Sequence, residues 1–273
     1  MWTETTRRQY RRDHLRYASD MTDAEWLLLG FVLPAAYRIG RPREVDLRAV
    51  IDAILYILAT GCQWRALPKD FPPRSTVQYY FYCWRDQRIW RRINLALVRR
   101  ARQSAGRNVV PSAGIIDSQS VKTTESGGPR GFDAGKRVKG RKRHIVTDTA
   151  GLLLAALVHT ANVQDNHGAV PLLRSIGHGF PKLRHIFADR IYRGEQLRNA
   201  LADLGNWTIE IITRSQSLGT FVAELKRWVV ERTFAWFGRN RRLAKDFEAT
   251  IASADAWLMI ASVRLLSRRL AKA

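Results

Sequence analysis

Apolar residues fall at three- and four-residue steps through the first hundred positions and again through the last fifty, and gather into short unbroken runs in between. The first helical face is Trp26, Leu29 and Leu33, ending at Pro34. It follows Thr22-Asp23-Ala24-Glu25, where Thr22 caps the helix and Glu25 answers it in a capping box. A second helix, from Asp46 to Gly61, carries Leu47, Val50, Ile51, Ile54, Leu55 and Leu58. After a Pro-rich break, Ser75 is expected to cap a third helix bearing Tyr79, Tyr80, Tyr82, Trp84, Arg85 and Arg88. A basic helix through Ile93, Leu97 and Arg100 closes the segment near Gly106. The order resembles a helix-turn-helix, and equally suits a plain helical bundle with an aromatic core.

At residue 113 the period changes. The run AGIIDSQSV reads as a strand, and RHIVTDTAGLLLAALVHTA as two strands joined at Asp148–Gly151. Between them, TTESGGPRGFDAGKRVKGRK reads as a Gly-rich basic loop. A helix over NHGAVPLLRSI, a buried strand LRHIFAD, a helix stopped by Gly205 and a strand WTIEIIT follow. The chain is helical from residue 221, with a last amphipathic helix from about Ser253 to Leu270. A hairpin-containing mixed sheet flanked by helices is an α/β layer architecture. The expected organisation is a basic flexible arm over 1–20, a small all-α segment over 21–106 and an α/β segment over 107–273.

Composition narrows the partners. Lys and Arg number 46 against 24 Asp and Glu, a net charge of +22 over 273 residues. Such a field favours a polyanion, most often nucleic acid. Two cysteines, Cys62 and Cys83, make neither a metal-spaced pair nor a disulfide framework. No stretch approaches the ~20 apolar residues of a membrane span. These features lead us to expect a soluble, cytoplasmic protein with no membrane partner.

Three acids stand out. Asp117 and Asp189 each follow an apolar strand, and Glu231 lies among Trp228, Val229, Val230, Phe234 and Trp236. Two aspartates and a glutamate suit Mg²⁺ or Mn²⁺, which prefer oxygen ligands. Two such ions can clamp the attacking and leaving oxygens of a phosphoryl displacement. Singly, an Asp at a strand end is usually a turn or cap residue. Glu231 could equally pair with Arg227 four residues back. His144 and His159 lack partners at metal spacing and read as structural.

The stretches IIDSQSVKTTESGGPRGFDAGKRVKGRKRHIVTDTAGLLL, FADRIYRG and KRWVVERTFAWFGRNRRLAKDFE resemble the DDE transposases of bacterial insertion sequences, in the insertion-sequence-five group of the insertion-sequence-four superfamily. Residues 20 to 97 resemble the helical N-terminal domain of such enzymes. The resemblance implies an RNase H-like catalytic core over 107–273, a DNA-binding domain over 21–106 and a triad of Asp117, Asp189 and Glu231 as catalytic residues and metal ligands. It implies two Mg²⁺ (or Mn²⁺) ions, DNA partners in the terminal repeats and the target, and a homodimer in the synaptic complex. Arg227 fits the arginine of the family's signature around the glutamate; Glu224 replaces its tyrosine, and Gly238 its lysine, with Arg239 adjacent. Lys136, Arg137, Lys139, Arg141, Lys142, Arg143, Arg227 and Arg239 are then the expected DNA contacts. The competing readings are a metal nuclease that cuts without joining, and a non-catalytic DNA-binding repressor.

Overall fold

The computed structural model describes residues 3–5, 11–35, 43–176, 179–202, 207–212 and 221–272, without the side chains of 196 and 221–227. Four helices come first: α1 (Asp23–Gly30), α2 (Leu47–Thr60), α3 (Arg74–Asp86) and α4 (Ile89–Ser104). The expected caps of the first two are present. Thr22 accepts from the Glu25 amide while Glu25 reaches back to Thr22. Asp46 caps α2, and Gly61 ends it with φ 71°, where a Cβ would be strained. Thr22→Ala should cost about 1 kcal/mol of stability in chemical denaturation. The expected cap at Ser75 is corrected: the N-cap lies two residues earlier, at Pro73, with no side-chain cap.

The α/β part follows as β1 (Ala113–Lys122), β2 (Gly131–Asp133), β3 (Val138–Asp148), β4 (Leu153–Thr160), α5 (Asp165–Ile176), β5 (His185–Ala188), α6 (Glu195–Ala202), β6 (Thr208–Ile211), α7 (Phe221–Gly238) and α8 (Ile251–Leu270). Gly205 lies outside the described residues. In the sheet β3 sits beside β1, then β5 and β6, and both β2 and β4 pair with β3. β3 runs antiparallel to both β1 and β4, whereas β1, β5 and β6 run parallel. This mixed sheet, flanked by helices and preceded by a helical region, is the expected RNase H-like arrangement.

Two boundaries differ from expectation. β3 begins at Val138, inside the stretch read as loop, because its first half is built from charged residues that the hydrophobic pattern does not register. And the helical segment is not closed off at residue 106. α8 returns to pack on α1, α2, α3 and α4 as well as on β4. Trp257 of α8 is fully buried and stacks on Phe81 of α3, ring centroids 4.7 Å apart. Asn94 of α4 donates to the Leu153 carbonyl of β4 and accepts from Ser262 of α8, so one amide ties three elements. Phe81 and Trp84 thus belong to an aromatic core, while Tyr79 and Tyr82 are exposed.

Residues 11–20, read as part of a flexible arm, lie against this layer. Arg12 pairs with the buried Glu25 at 2.7 Å, Tyr17 stacks on Phe71, and Arg268 of α8 donates to the Ala18 carbonyl.

Candidate functional site

Register places the first two acids. The parallel pairing of β1 with β5 ends at Ile115–Phe187, while its antiparallel pairing with β3 continues to Lys122. Two residues further along each chain stand Asp117 and Asp189, in the same phase. Their side chains therefore leave the sheet on one face. The expectation that Asp117 ends its strand is corrected: it lies mid-strand, opposite Ile145, and what ends there is the neighbouring β5. Asp189 follows β5 and accepts from the Ile191 amide at 3.0 Å, capping the turn Arg190–Tyr192. It is a turn cap and a site-lining acid at once.

α7 crosses β1 and brings the third acid. Glu231, Asp117 and Asp189 line one small cavity with Ile115, Ile116, Ala188, Ile212 and Val230. Glu231 is not embedded among the apolar residues around it in sequence. Steps of 100° divide the helix: Val229, Val230, Phe234 and Phe237 are buried, whereas Trp228, Glu231, Ala235 and Gly238 are exposed. Trp228 is 51% exposed, so core packing does not account for it. The Arg232 guanidinium lies between Trp228 and Trp236, 4.4 and 4.6 Å from their ring centroids.

Burial raises Asp117 to about 6. The Asp189 and Glu231 charges push it the same way, against the Ser118 amide and Lys136. An apolar floor under like charges is a site in which a cation would be favoured, and the three carboxylates are the hard oxygen donors that Mg²⁺ or Mn²⁺ take. Among the described residues no three acid, histidine or cysteine side chains are gathered closely enough to hold an ion as they stand. The carboxylates share the cavity without closing a cage.

The expected DNA contacts divide sharply. Lys136, Arg137, Lys139 and Arg239 are exposed, although the Lys136 ammonium is held by Ser118. Arg141, Lys142 and Arg143 are buried, at 0, 4 and 3% exposure, which corrects their assignment to a phosphate-binding loop. Arg141 pairs with Asp246 at 3.0 Å and donates to the carbonyls of Pro129 and Glu248. Arg143 donates to the Leu243 and Lys245 carbonyls, and burial lowers it to about 10. Lys142 lies 3.0 Å from Asp165 and 3.4 Å from Asp133. These cations join β3 to its neighbours. The Arg227 side chain lies outside the described residues.

His144 and His159, read as structural, are hydrogen-bonded to each other at 2.6 Å, and burial lowers His159 to about 4. Beside them sits Asp165, a residue the sequence reading missed. In NVQDNHGAV it reads as an ordinary first-turn acid of a helix; only the register of β3 and β4 brings it under Ser118.

Residues 109–266 match the family described as "Transposase DDE domain", and residues 21–94 match "Putative transposase of IS4/5 family". The "Putative transposase for insertion sequence element IS402" of Burkholderia cepacia is 39% identical over 141 residues, which is 49% of this chain. The match spans 64% of that relative's length. More than half of the chain, including the sheet and all three cavity acids, falls within the first match, and the chain belongs to the DDE transposase family.

Proposed function

We propose that this protein is a DNA transposase that cleaves the ends of its own insertion sequence and joins them to target DNA. The observation that carries the reading is the convergence of Asp117, Asp189 and Glu231 on one cavity of a strongly basic chain. Asp117, Asp189 and Glu231 are the catalytic residues and would hold two Mg²⁺ or Mn²⁺ ions, which when bound activate the attacking oxygen and stabilise the leaving one.

The remaining roles fall to the protein itself. β1 fixes Asp117, which pairs with Ile145 of β3 two residues beyond the end of the pairing with β5. The Asp189 carboxylate is oriented by the amide it caps. Glu231 sits on the helix face that also presents Gly238, with exposed Arg239 at its end. A phosphodiester approaching three carboxylates is repelled unless cations accompany it; Lys136, Arg137, Lys139 and Arg239 supply them from the exposed surface, and Arg227 stands four residues before Glu231. Bringing two ends together implies a homodimer at work, and a DNA substrate implies a cytoplasmic, nucleoid-associated setting.

Two measurements bear on this. Incubating the full chain with pre-cut ends, target DNA and Mg²⁺ should give joined product; cutting of intact ends without joining would instead favour a nuclease. Replacing Arg137 and Lys139 together by Ala should weaken DNA binding at all sequences. It should also reduce the slope of log affinity against log salt by about 2, near 0.9 per phosphate contact. An unchanged slope would remove both residues from the interface.

A further inference from the structure

Asp117 does not aim its own carboxylate. The Ser118 amide donates to Asp117 Oδ1 at 2.7 Å, so the orientation of Asp117 depends on how firmly Ser118 is held. Ser118 is gripped twice on the other face of the sheet. Its hydroxyl donates to Asp165 Oδ1 at 2.7 Å, and Lys136 Nζ donates to its carbonyl and its hydroxyl at 3.0 and 3.2 Å. The donor directions agree. A hydroxyl that gives its proton to a carboxylate keeps lone pairs for an ammonium.

Asp165 is itself fixed. It is buried, and Lys142 Nζ stands 3.0 Å from the oxygen that Ser118 reaches. His159 Nδ1 faces the Thr160 carbonyl, so it must donate, and its Nε2 accepts from His144 Nδ1. His144 Nε2 lies 3.3 Å from Asp165 Oδ1. Asp165 Oδ1 accepts from the Ser118 hydroxyl and faces the Lys142 ammonium. The ring of Tyr192, which ends the turn capped by Asp189, meets the His144 ring edge-on with centroids 6.2 Å apart. The group under Asp117 thus also braces the segment that carries Asp189. No room for slack is left: a Cβ at Gly168 of α5 would lie 2.5 Å from the His144 ring.

We propose that Asp165 and Ser118 are positioning residues for the metal-binding carboxylate of Asp117, acting through the Ser118 amide. The inference rests on the reading of Asp117 as a metal ligand. Partners that orient a ligand, without touching the metal, commonly change metal affinity by about 10- to 100-fold.

The test is Mn²⁺ binding to the full chain without DNA, measured calorimetrically, for wild type, Ser118→Ala, Ser118→Thr, Asp165→Asn and Asp117→Asn. Ser118→Ala removes one hydroxyl and leaves Asp165 its Lys142 partner, so it keeps the test valid should Asp165→Asn fail to fold. Ser118→Ala and Asp165→Asn should weaken Mn²⁺ binding about 10-fold or more, and Ser118→Thr should restore most of it. In cleavage assays the Mg²⁺ needed for half-maximal rate should rise by the same factor, with the rate recovering at saturating metal. Wild-type Mn²⁺ affinity in Ser118→Ala, or a rate that saturating metal does not restore, would overturn the proposal. If Asp117→Asn loses Mn²⁺ while Ser118→Ala does not, the positioning role alone fails. If Asp117→Asn also binds as wild type, the metal site itself has been misread.

Discussion

Asp117→Asn should lower DNA cleavage at least about 10³-fold, roughly 4 kcal/mol of transition-state stabilisation, and should make the metal-free protein more stable. The two effects have one origin. Asp117 lies on an apolar floor beside Asp189 and Glu231, and burial, aided by those charges, raises it to about 6. Its ordinary value is near 3.9. Between these values the folded state holds more protons than the unfolded one, so stability falls as pH rises from about 4 to about 6 and stays lower above. Asparagine has no charge to bury. At pH 7–8 without divalent ions it should therefore gain on the order of 1–3 kcal/mol, seen as a melting temperature a few degrees higher. The gain should shrink as pH is lowered towards 4. A variant that loses activity and stability together would mean that Asp117 supports the fold rather than the chemistry.

Arg141 should behave in the opposite way. Read as a loop cation, it would tolerate replacement and lose only DNA affinity. Its actual place is between β3 and the segment connecting α7 to α8, fully buried against Asp246 and backbone carbonyls. Arg141→Met leaves the Asp246 carboxylate buried without its ion-pair partner, which typically costs 3–5 kcal/mol. The melting temperature should fall by roughly ten degrees. Adding Asp246→Leu should recover much of the loss, since replacing both members of a buried pair by apolar groups is often close to neutral. Chemical denaturation of the two single variants and the double variant measures this directly. A stable Arg141→Met chain with weakened DNA binding would reinstate the loop reading.

The contrast between these residues marks where the sequence is legible. Helices with a clean apolar stripe and a cap, such as α1 behind Thr22 and α2 between Asp46 and Gly61, are visible because hydrophobic period and capping chemistry agree. β1 and β5 are visible as apolar runs, and with them Asp117 and Asp189. The first half of β3, VKGRKR, is not: its inward groups are charged, and their partners Asp246, Asp165 and Asp133 are scattered along the chain. Hydrophobic patterning has no entry for a strand buried through ion pairs. Glu231 stands out as an acid among apolar residues, but those neighbours in sequence mislead about its surroundings, since a helix turns adjacent residues to different sides. Asp165 carries no signal of its own, because only sheet register brings it beneath Ser118. The packing of the last helix on the N-terminal helices is hidden for a related reason. Nothing local in α8 announces that it closes the core of α1–α4.

The central claim, that Asp117, Asp189 and Glu231 form one metal site, is tested most directly by anomalous diffraction from crystals of the full chain grown with Mn²⁺ and a DNA end. Two manganese peaks about 3.5–4 Å apart, each about 2 Å from carboxylate oxygens of this group and with Glu231 turned into the cavity, are the predicted result. Manganese bound elsewhere, or a Glu231 carboxylate that coordinates no manganese with DNA in place, would contradict it.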